Sequence, residues 1–564
     1  MLCCSLRFIL RILIPLLIAV SAGADESPLL GILQAELDRN FTVLKQKADP
    51  PPYFIAYSVT DEESDVVAAT FGTLEAQTHG HNRVLDVSVR VGSPRLDNYH
   101  RVQGRQGRFA SATVIPIDDA AAAIRRRVWA ETDRVYQAAA QRLIQIKAER
   151  QVKVAEEDDS DDFSEEPPSV ASELPPQIHF NSDEWAKRLR KLSAEFDRYP
   201  GVLNSSVSVV VQREITTLVT TGGTRLEHGR NFAHIIISAH GKAPDGMDLS
   251  TSAGFDAFDP ARLPKDDVIV GAIDKTADNL TKLLKAPPVD PYVGPAILSG
   301  RAAGVFFHEI FGHRVEGHRQ KDENEGQTFT KSVGKPVLPE FLSVIFDPTR
   351  KSAAGTDLNG YYTYDDEGVK ARPVSVVEDG ILKTFLMSRS PIRGFAHSNG
   401  HGRRQPGYEV VSRQSNLFVE SKKTVSDEQL RQMLRDEVKK DNKPYGLYFT
   451  EITGGYTTTQ RRGLQAFTVI PLIVYRVYAD GRPDEMVRGV DIVGTPLASF
   501  AKILATSDRV EVFNGTCGAE SGGVPVSAVS PAILVGEIEI QRKQKSDDRP
   551  PFLPRPTDLG GGGE

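Results

Sequence analysis

The sequence is poor in cysteine, in tryptophan and in long apolar runs, and each shortage argues against a class of protein. Its 3 cysteines are Cys3, Cys4 and Cys517, too few for a scaffold held together by disulfides. Only 2 tryptophans occur in 564 residues, which does not favour an aromatic-rich carbohydrate binder. No stretch reaches the roughly 20 apolar residues that a membrane span needs. The formal charge is -7 and no basic stripe stands out, so no nucleic-acid partner is expected.

The N-terminus has the pattern of a cleaved secretory signal. Arg7 and Arg11 precede an apolar run at 12–20, and small residues follow as far as Ala24. A basic region, a short apolar stretch and an A-x-A end are typical of such signals. The pattern predicts an exported protein, periplasmic or secreted, with no stable membrane anchor after cleavage. Cys517 is then the only cysteine of the mature chain, so no intramolecular disulfide is possible.

Hydrophobic periodicity predicts an α+β fold, with a mixed N-terminal α/β region followed by a strand-rich C-terminal domain that carries the candidate metal-binding helix. Five helices are predicted, at 29–48, 118–153, 182–196, 265–285 and 301–313. The predicted organisation is a signal peptide 1–24, an N-terminal α/β region 25–176, a central α+β region 177–290, a C-terminal domain 291–541 and a flexible tail 542–564. The first two globular regions can also form one domain with an acidic insertion.

An acidic segment closes the first of these regions, at about 155–176. Its residues 156–166 are mostly Asp, Glu and Ser, and Pro167-Pro168 follow directly. High charge and low hydrophobicity oppose burial in a core. The segment is therefore predicted to be a solvated, mobile linker.

The candidate chemistry lies in the stretch His308-Glu309-Ile310-Phe311-Gly312-His313. In the zinc-peptidase pattern H-E-x-x-H, the histidines are four residues apart on one helix face and the Glu is the base. Here the spacing is five, which turns the two side chains about 140° apart on a regular helix. The spacing therefore predicts either a π-bulge or a helix that ends near Gly312.

Two questions stay open from these residues alone. The histidines can be ordinary polar residues near a helix end, and His318 offers a second pair, His313 with His318. Cys517 lies in the glycine-flanked stretch 514–518, which fits a metal ligand and a small buried apolar residue about equally well.

At these residues the chain resembles the TldD/PmbA metallopeptidases, and specifically their TldD-like active subunits. The signature resembles His308-Glu309-x-x-Gly312-His313-x-x-Glu316-Gly317. Further landmarks follow in order: Ser398-Asn399-Gly400 with Arg403-Arg404, Gly454-Gly455, Asp480-Gly481 with Val487-Arg488-Gly489, and Gly515-x-Cys517-Gly518 with Val524-Pro525-Val526. The resemblance covers about 290–541 firmly and about 25–290 loosely.

The resemblance implies a zinc hydrolase with Zn²⁺ bound by His308, His313 and Cys517. Glu309 would be the general base that assists attack by a metal-bound water on short or unfolded peptides. It also implies a homodimer, or a heterodimer with a related chain, in which the peptide adds as a strand to a sheet edge. The sequence departs from the family at His318, where Asp is expected, so the role of that position is left open.

Two other functions are weighed against the peptidase. The family includes subunits without the metal motif, so the chain can be a non-catalytic peptide-binding or partner subunit. Retention of His308, Glu309, His313 and Cys517 opposes that alternative. A redox sensor built on Cys517 is disfavoured because no resolving cysteine is available.

Overall fold

The computed structural model describes residues 27–102, 106–150, 158–461, 467–494, 500–543, 549–551 and 553. The α-helices in these ranges are α1 (Pro28–Lys47), α2 (Ala121–Arg150), α3 (Ser182–Ser193), α4 (Asp266–Lys285), α5 (Gly300–Ile310), α6 (His318–Lys321) and α7 (Asp427–Lys440). Short 3₁₀ turns lie at Ala194–Arg198, Pro260–Arg262 and Gly312–Val315.

The strands of the N-terminal half are β1 (Pro52–Thr70), β2 (Thr73–Ser93), β3 (Leu96–Asp97), β4 (Thr113–Val114), β5 (Val170–Glu173), β6 (Asn204–Thr220), β7 (Arg225–Lys242) and β8 (Asp248–Ala257). Those of the C-terminal half are β9 (Tyr292–Leu298), β10 (Leu342–Phe346), β11 (Ser352–Ala353), β12 (Thr356–Asp357), β13 (Val374–Glu378), β14 (Ile381–Leu382), β15 (Gly402–Arg403), β16 (Val411–Ser412), β17 (Asn416–Ser421), β18 (Thr424–Val425), β19 (Gly446–Thr457), β20 (Phe467–Val477), β21 (Glu485–Val487), β22 (Val490–Gly494), β23 (Ile503–Ala519) and β24 (Gly522–Arg542). The content of helices and strands confirms the predicted α+β class.

The signal-peptide and periplasmic predictions are corrected, because the residues that the structure describes show neither a signal peptide nor a membrane span. Residues 1–24 lie outside the described residues. Within the part of the chain that the structure describes, no helix has both the length and the apolar character needed to cross a membrane. Residues 544–548, 552 and 554–564 of the predicted tail likewise lie outside the described residues.

An N-terminal sheet of eight strands unites the predicted regions 25–176 and 177–290. Its order is β3-β2-β1-β6-β7-β5, with β4 beside β2 and β8 beside β7. Strand β1 of the long β1–β2 hairpin pairs antiparallel with β6 over 14 residues, from Ala56↔Thr220 to Ala69↔Val207. The boundary at 176/177 therefore falls within one sheet and does not separate two sheets.

Four helices cover one face of this sheet. Tyr57 and Val59 of β1 pack against α1 and α2, whereas Val67 of the same strand packs against α3 and α4. These three residues are all odd-numbered, so they lie on one face. The opposite face turns towards the C-terminal half, where Leu218 packs against Tyr364.

The C-terminal half is built on a second sheet of twelve strands, part of which closes on itself. The path β24-β22-β20-β19-β9 returns to β24, because β9 pairs with both β19 and β24. Helix α5 packs against this closed part, and Phe306 and Phe307 are fully buried in its core. The long hairpin of β23 and β24 crosses the same helix, and this crossing brings the candidate site residues together.

The acidic segment differs from the predicted solvated linker where the structure describes it. Asp162 and Phe163 are buried. The Asp162 carboxylate pairs with His100 Nδ1 at 2.8 Å, and the Phe163 ring lies between the guanidinium groups of Arg90 and Arg389. Lys321 Nζ of the C-terminal half also lies 3.8 Å from Asp162 Oδ1, so partners from both halves stabilise a carboxylate whose charge made burial look unfavourable in the sequence.

Candidate metal centre

Helix α5 carries the first two candidate residues into the core. It starts at Gly300 directly after β9, and the Ser299 side chain caps it by accepting a hydrogen bond from the Ala302 N–H at 3.2 Å. Its C-terminal end holds His308 and Glu309, both more than nine-tenths buried. Because the preceding phenylalanines are fixed in the core, the direction of this helix end is fixed as well.

The two histidines, five residues apart, can face each other because the α-helix ends between them. Helix α5 stops at Ile310, and a 3₁₀ turn follows at Gly312–Val315, so His313 lies outside the α-helix. This is one of the two predicted solutions, and the π-bulge does not occur. The His308 and His313 rings consequently approach to 5.1 Å between centroids.

This turn requires glycine at position 312, because the Gln414 side chain occupies the space where a Cβ would lie. A Cβ at Gly312 would overlap the Gln414 amide, whose Nε2 donates to the His308 carbonyl at 3.2 Å. Gln414 is fully buried and therefore has little freedom to move aside. The close approach, and not a left-handed backbone, is what requires glycine here.

We therefore expect Gly312→Ala to lower the free energy of unfolding by about 1–3 kcal/mol, the usual cost of overfilling a packed core. Chemical denaturation measures this change. Gly271→Ala is the matched control, because Gly271 lies on α4 with no atom within 4 Å of an added Cβ. That control should stabilise the chain by roughly 0.5–1 kcal/mol, and equal behaviour of the two variants would show that Gln414 does not crowd Gly312.

Cys517 reaches the two histidines from the far end of the chain. It lies near the tip of the β23–β24 hairpin, paired with Val524, and is buried. Its Sγ lies 3.4 Å from His313 Nε2. One donor atom from each of His308, His313 and Cys517 lies within 4.8 Å of the others, and the three residues form the only such group found among the described residues.

The Cys517 thiol and the His313 imidazole shift each other's pKa in opposite directions. Burial alone would raise the pKa of the Cys517 thiol, but the charges of His313 and His308 outweigh burial and lower it well below its usual range. Burial alone would lower the pKa of His313, but Cys517 and Glu316 raise it well above its usual value. The two histidines thus favour the thiolate over the thiol at Cys517, and the thiolate is the form in which cysteine binds metals.

Glu309 lies beside the donor group, and both its side chain and its backbone have close neighbours there. Its Oε2 lies 3.8 Å from His313 Nε2. Gly455 of β19 passes so close that an added Cβ would lie 2.8 Å from Glu309 Cγ. Arg314 donates to the Glu309 carbonyl at 3.2 Å and to Thr457 Oγ1 at 3.0 Å, which joins the helix end to β19.

His318 takes no place in the donor group. Its Nε2 pairs with the Glu520 carboxylate at the hairpin tip, and the His318 ring is buried. His318 is therefore not part of the group that His313 forms with His308 and Cys517. Sequence reasoning missed the partners behind the site, among them Arg413, Gln414 and Glu520, because each is distant in sequence from the motif it supports.

An open cleft of about 1310 Å³ runs past the donor group. Both halves of the chain line it, the N-terminal half through residues 106–108 and the C-terminal half through 453–460 and 513–520. The last two segments belong largely to β19 and β23. In the described residues, the pairings found for Gly454–Thr457 of β19 and Phe513–Ala519 of β23 are with β20 and β24 respectively, leaving one edge of each towards the cleft.

Comparison with known proteins places this architecture in a class. Residues 292–542 match the family model described as the PmbA/TldA metallopeptidase C-terminal domain. The chain is 27% identical over 296 residues to a metalloprotease of Methanocaldococcus jannaschii, covering 52% of this chain and 59% of that protein. It is 26% identical over 302 residues to the zinc metalloprotease TldD homolog of Saccharolobus solfataricus, covering 52% and 60%. The matches thus span about 60% of these relatives' own lengths.

A solved structure extends the likeness in fold to nearly the whole chain. TldE from Thermococcus kodakarensis superposes with a TM-score of 0.60 at 12% identity, covering 91% of this chain and all of that one. The class defined by fold and C-terminal domain is therefore that of the metallopeptidase-like α+β proteins. Within that class, residues 292–542 carry the C-terminal domain of the PmbA/TldA metallopeptidases, as the sequence motifs predict, and the chain is similar to proteins named TldD and TldE.

Proposed function

We propose that this protein is a zinc-dependent peptidase that hydrolyses short or unfolded peptides. The observation that carries the proposal is the convergence of His308, His313 and Cys517 beside Glu309 on an open cleft. Relatives named metalloproteases support the reaction class. A non-catalytic subunit would have no use for this arrangement, so the donor group argues against that alternative.

The chemistry of the donor group fits zinc. Two imidazole nitrogens and a thiolate are the ligands that zinc takes in proteins, and three protein ligands leave a coordination position free for catalysis. The three side chains are buried and close enough to share one ion. When bound, zinc would supply Lewis-acid polarisation of the scissile carbonyl and make a water molecule more acidic.

Glu309 is the base in this proposal. Its carboxylate is buried beside the donor group, and the cleft gives water and substrate access to it. It would take a proton from the attacking water and then deliver that proton to the leaving amine. Gly455 limits the space beside the Glu309 side chain and Arg314 anchors its backbone carbonyl, so the carboxylate needs little rearrangement for either step.

The cleft favours an extended peptide chain as substrate. The cleft-facing edges of β19 and β23 can pair with a peptide in strand conformation, which would hold its backbone against the site. A folded domain presents few such free strands, so short and unfolded chains are the expected substrates. Similarity to proteins named TldD and to one named TldE supports a partner that is either a second copy or a related chain.

Removal and return of zinc tests the proposal on the full-length protein. We expect cleavage of a reduced, alkylated protein substrate to stop after treatment with 1,10-phenanthroline and to resume when zinc is added back. The same polypeptide in its folded, unmodified form is the control and should be cleaved far more slowly. Cleavage that persists in the chelated, zinc-free protein would contradict the proposal.

A further inference from the structure

Behind the donor group lies a buried cluster of charge that the proposed reaction does not use. Glu316, Arg319 and Arg413 form it, and the Glu316 and Arg413 side chains are fully buried. Glu316 Oε2 accepts a hydrogen bond from Arg319 Nε at 2.8 Å and lies 3.2 Å from His313 Nδ1. A single carboxylate oxygen therefore touches both a candidate ligand and a permanent cation.

The contact with His313 is directional. Because Nδ1 faces Glu316 and Nε2 faces Cys517 Sγ, the two ring nitrogens have different partners. A carboxylate can only accept a hydrogen bond from the ring, so Nδ1 keeps a proton, and whenever the ring is neutral its lone pair lies on Nε2. That is the tautomer that a metal ion at the donor group requires.

The same cluster extends to the other side of the site. Arg413 Nε lies 3.4 Å from Glu316 Oε1, an oxygen that accepts no hydrogen bond within the described part of the chain. The guanidinium also donates to the Cys517 carbonyl at 2.6 Å and to Ser521 Oγ at 2.7 Å. Arg413 thus connects the turn that carries His313 to the hairpin that carries Cys517.

Burial of so much charge is costly, and an apolar core of equal volume would often be at least as stable. The cluster nevertheless contacts two of the three donor residues, which are 204 positions apart in sequence. Its geometry suits a task that apolar side chains cannot perform: orienting an imidazole and fixing the backbone behind a thiolate.

We propose that Glu316 is a positioning residue for the metal centre: it fixes the tautomer and ring orientation of His313, while its neighbour Arg413 holds the Cys517 strand in register. The inference rests on the proposed zinc site and adds to it a determinant of metal affinity. Partners of this kind behind metal-binding histidines typically change affinity by about 10–100-fold when removed.

The test compares Glu316→Gln with Glu325→Gln. Glu325 is the matched control, because it pairs with the same Arg319 at 3.1 Å and belongs neither to the donor group nor to the contacts of His313. Zinc dissociation constants are measured on the full-length chain by competition with a chromophoric chelator. We expect about 10–100-fold weaker binding for Glu316→Gln, and binding within about twofold of wild type for the control.

Cobalt substitution supplies a readout that a merely structural ion pair would not change. The visible bands of thiolate-bound Co²⁺ depend on ligand geometry, so they should shift in Glu316→Gln and stay unchanged in Glu325→Gln. If Glu316→Gln fails to fold, Glu316→Asp takes its place, because it keeps the charge and withdraws the carboxylate by one methylene group. The Asp variant should also bind zinc more weakly than the control.

Equal zinc affinity and equal cobalt spectra in the Glu316 variants and the control would overturn the positioning role while leaving the zinc site intact. A wild-type chain that binds no zinc would instead overturn the proposed function itself, and the inference with it. The two failures are thus distinguished by the wild-type measurement alone.

Discussion

Replacing Glu309 by Gln is expected to abolish nearly all peptidase activity while leaving zinc bound. The substitution keeps the size and shape of the side chain, so its packing against Gly455 is preserved. An amide cannot take a proton from water at neutral pH, and loss of a general base typically costs about 10²–10⁴-fold in rate. We expect a fall of that size in kcat for cleavage of an unfolded peptide, with KM changed little.

Zinc content separates a lost base from a lost metal. Glu309 does not belong to the donor group, so the variant should hold as much zinc as the wild type. Glu451→Gln is the control for the chemical change, since Glu451 lies on β19 with its nearest cations, Lys275 and Arg301, each 3.7 Å away. Unchanged kcat in Glu309→Gln would exclude the base role, and loss of zinc would point to a ligand role instead.

The helical parts of the fold could be predicted because their signals are local. Helices α1, α3 and α4 carry apolar residues at helical spacing and begin and end within a few residues of the predicted bounds. The end of α5 was one of two solutions that the five-residue spacing and Gly312 left open, the other being a π-bulge, and the structure ends the helix at Ile310. Helix α7 was missed although Ser426 and Gln429 form a capping box at its start.

The strands of the N-terminal hairpin show where local signals end. The stretch 61–65 reads Asp-Glu-Glu-Ser-Asp and has no alternation of apolar and polar residues, yet it forms the middle of β1. Its pairing with β2 and β6 holds it in the sheet, and the β6 partners, which are more than 100 residues away, leave no trace in a short window. The burial of Asp162 has the same cause, since its partner His100 is distant in sequence.

The candidate site was predictable only as far as its motif. Residue type and spacing alone identify His308, Glu309 and His313 as candidates. For Cys517, only the family resemblance favoured the role of metal ligand over that of a buried apolar residue. The structure brings its sulfur to 3.4 Å from His313 Nε2. Gln414 and Arg413 remained hidden because nothing in the residues around them indicates what they contact.

Cys517 was interpreted from the sequence either as a metal ligand or as a buried apolar residue, and replacing it is expected to have a large effect on zinc affinity. Zinc binding in small protein sites is worth about 10–16 kcal/mol, so one ligand in four contributes roughly 2.5–4 kcal/mol. Cys517→Ala and Cys517→Ser should therefore each weaken zinc binding by roughly 10²–10³-fold. The measurement is the zinc dissociation constant by chelator competition, with zinc content of the purified protein as a check.

The pair of variants separates a ligand from a packing residue. If Cys517 only filled space, both variants would keep zinc, and Ser would destabilise the fold more than Ala because it buries a hydroxyl group. If the sulfur is a ligand, both lose zinc whichever variant is the more stable. Thr516→Ala is the neighbouring control, since Thr516 is exposed and adjacent strand residues point to opposite faces. Retention of wild-type zinc affinity in Cys517→Ala would leave the two histidines without their third ligand, and the proposed metal centre would have to be abandoned.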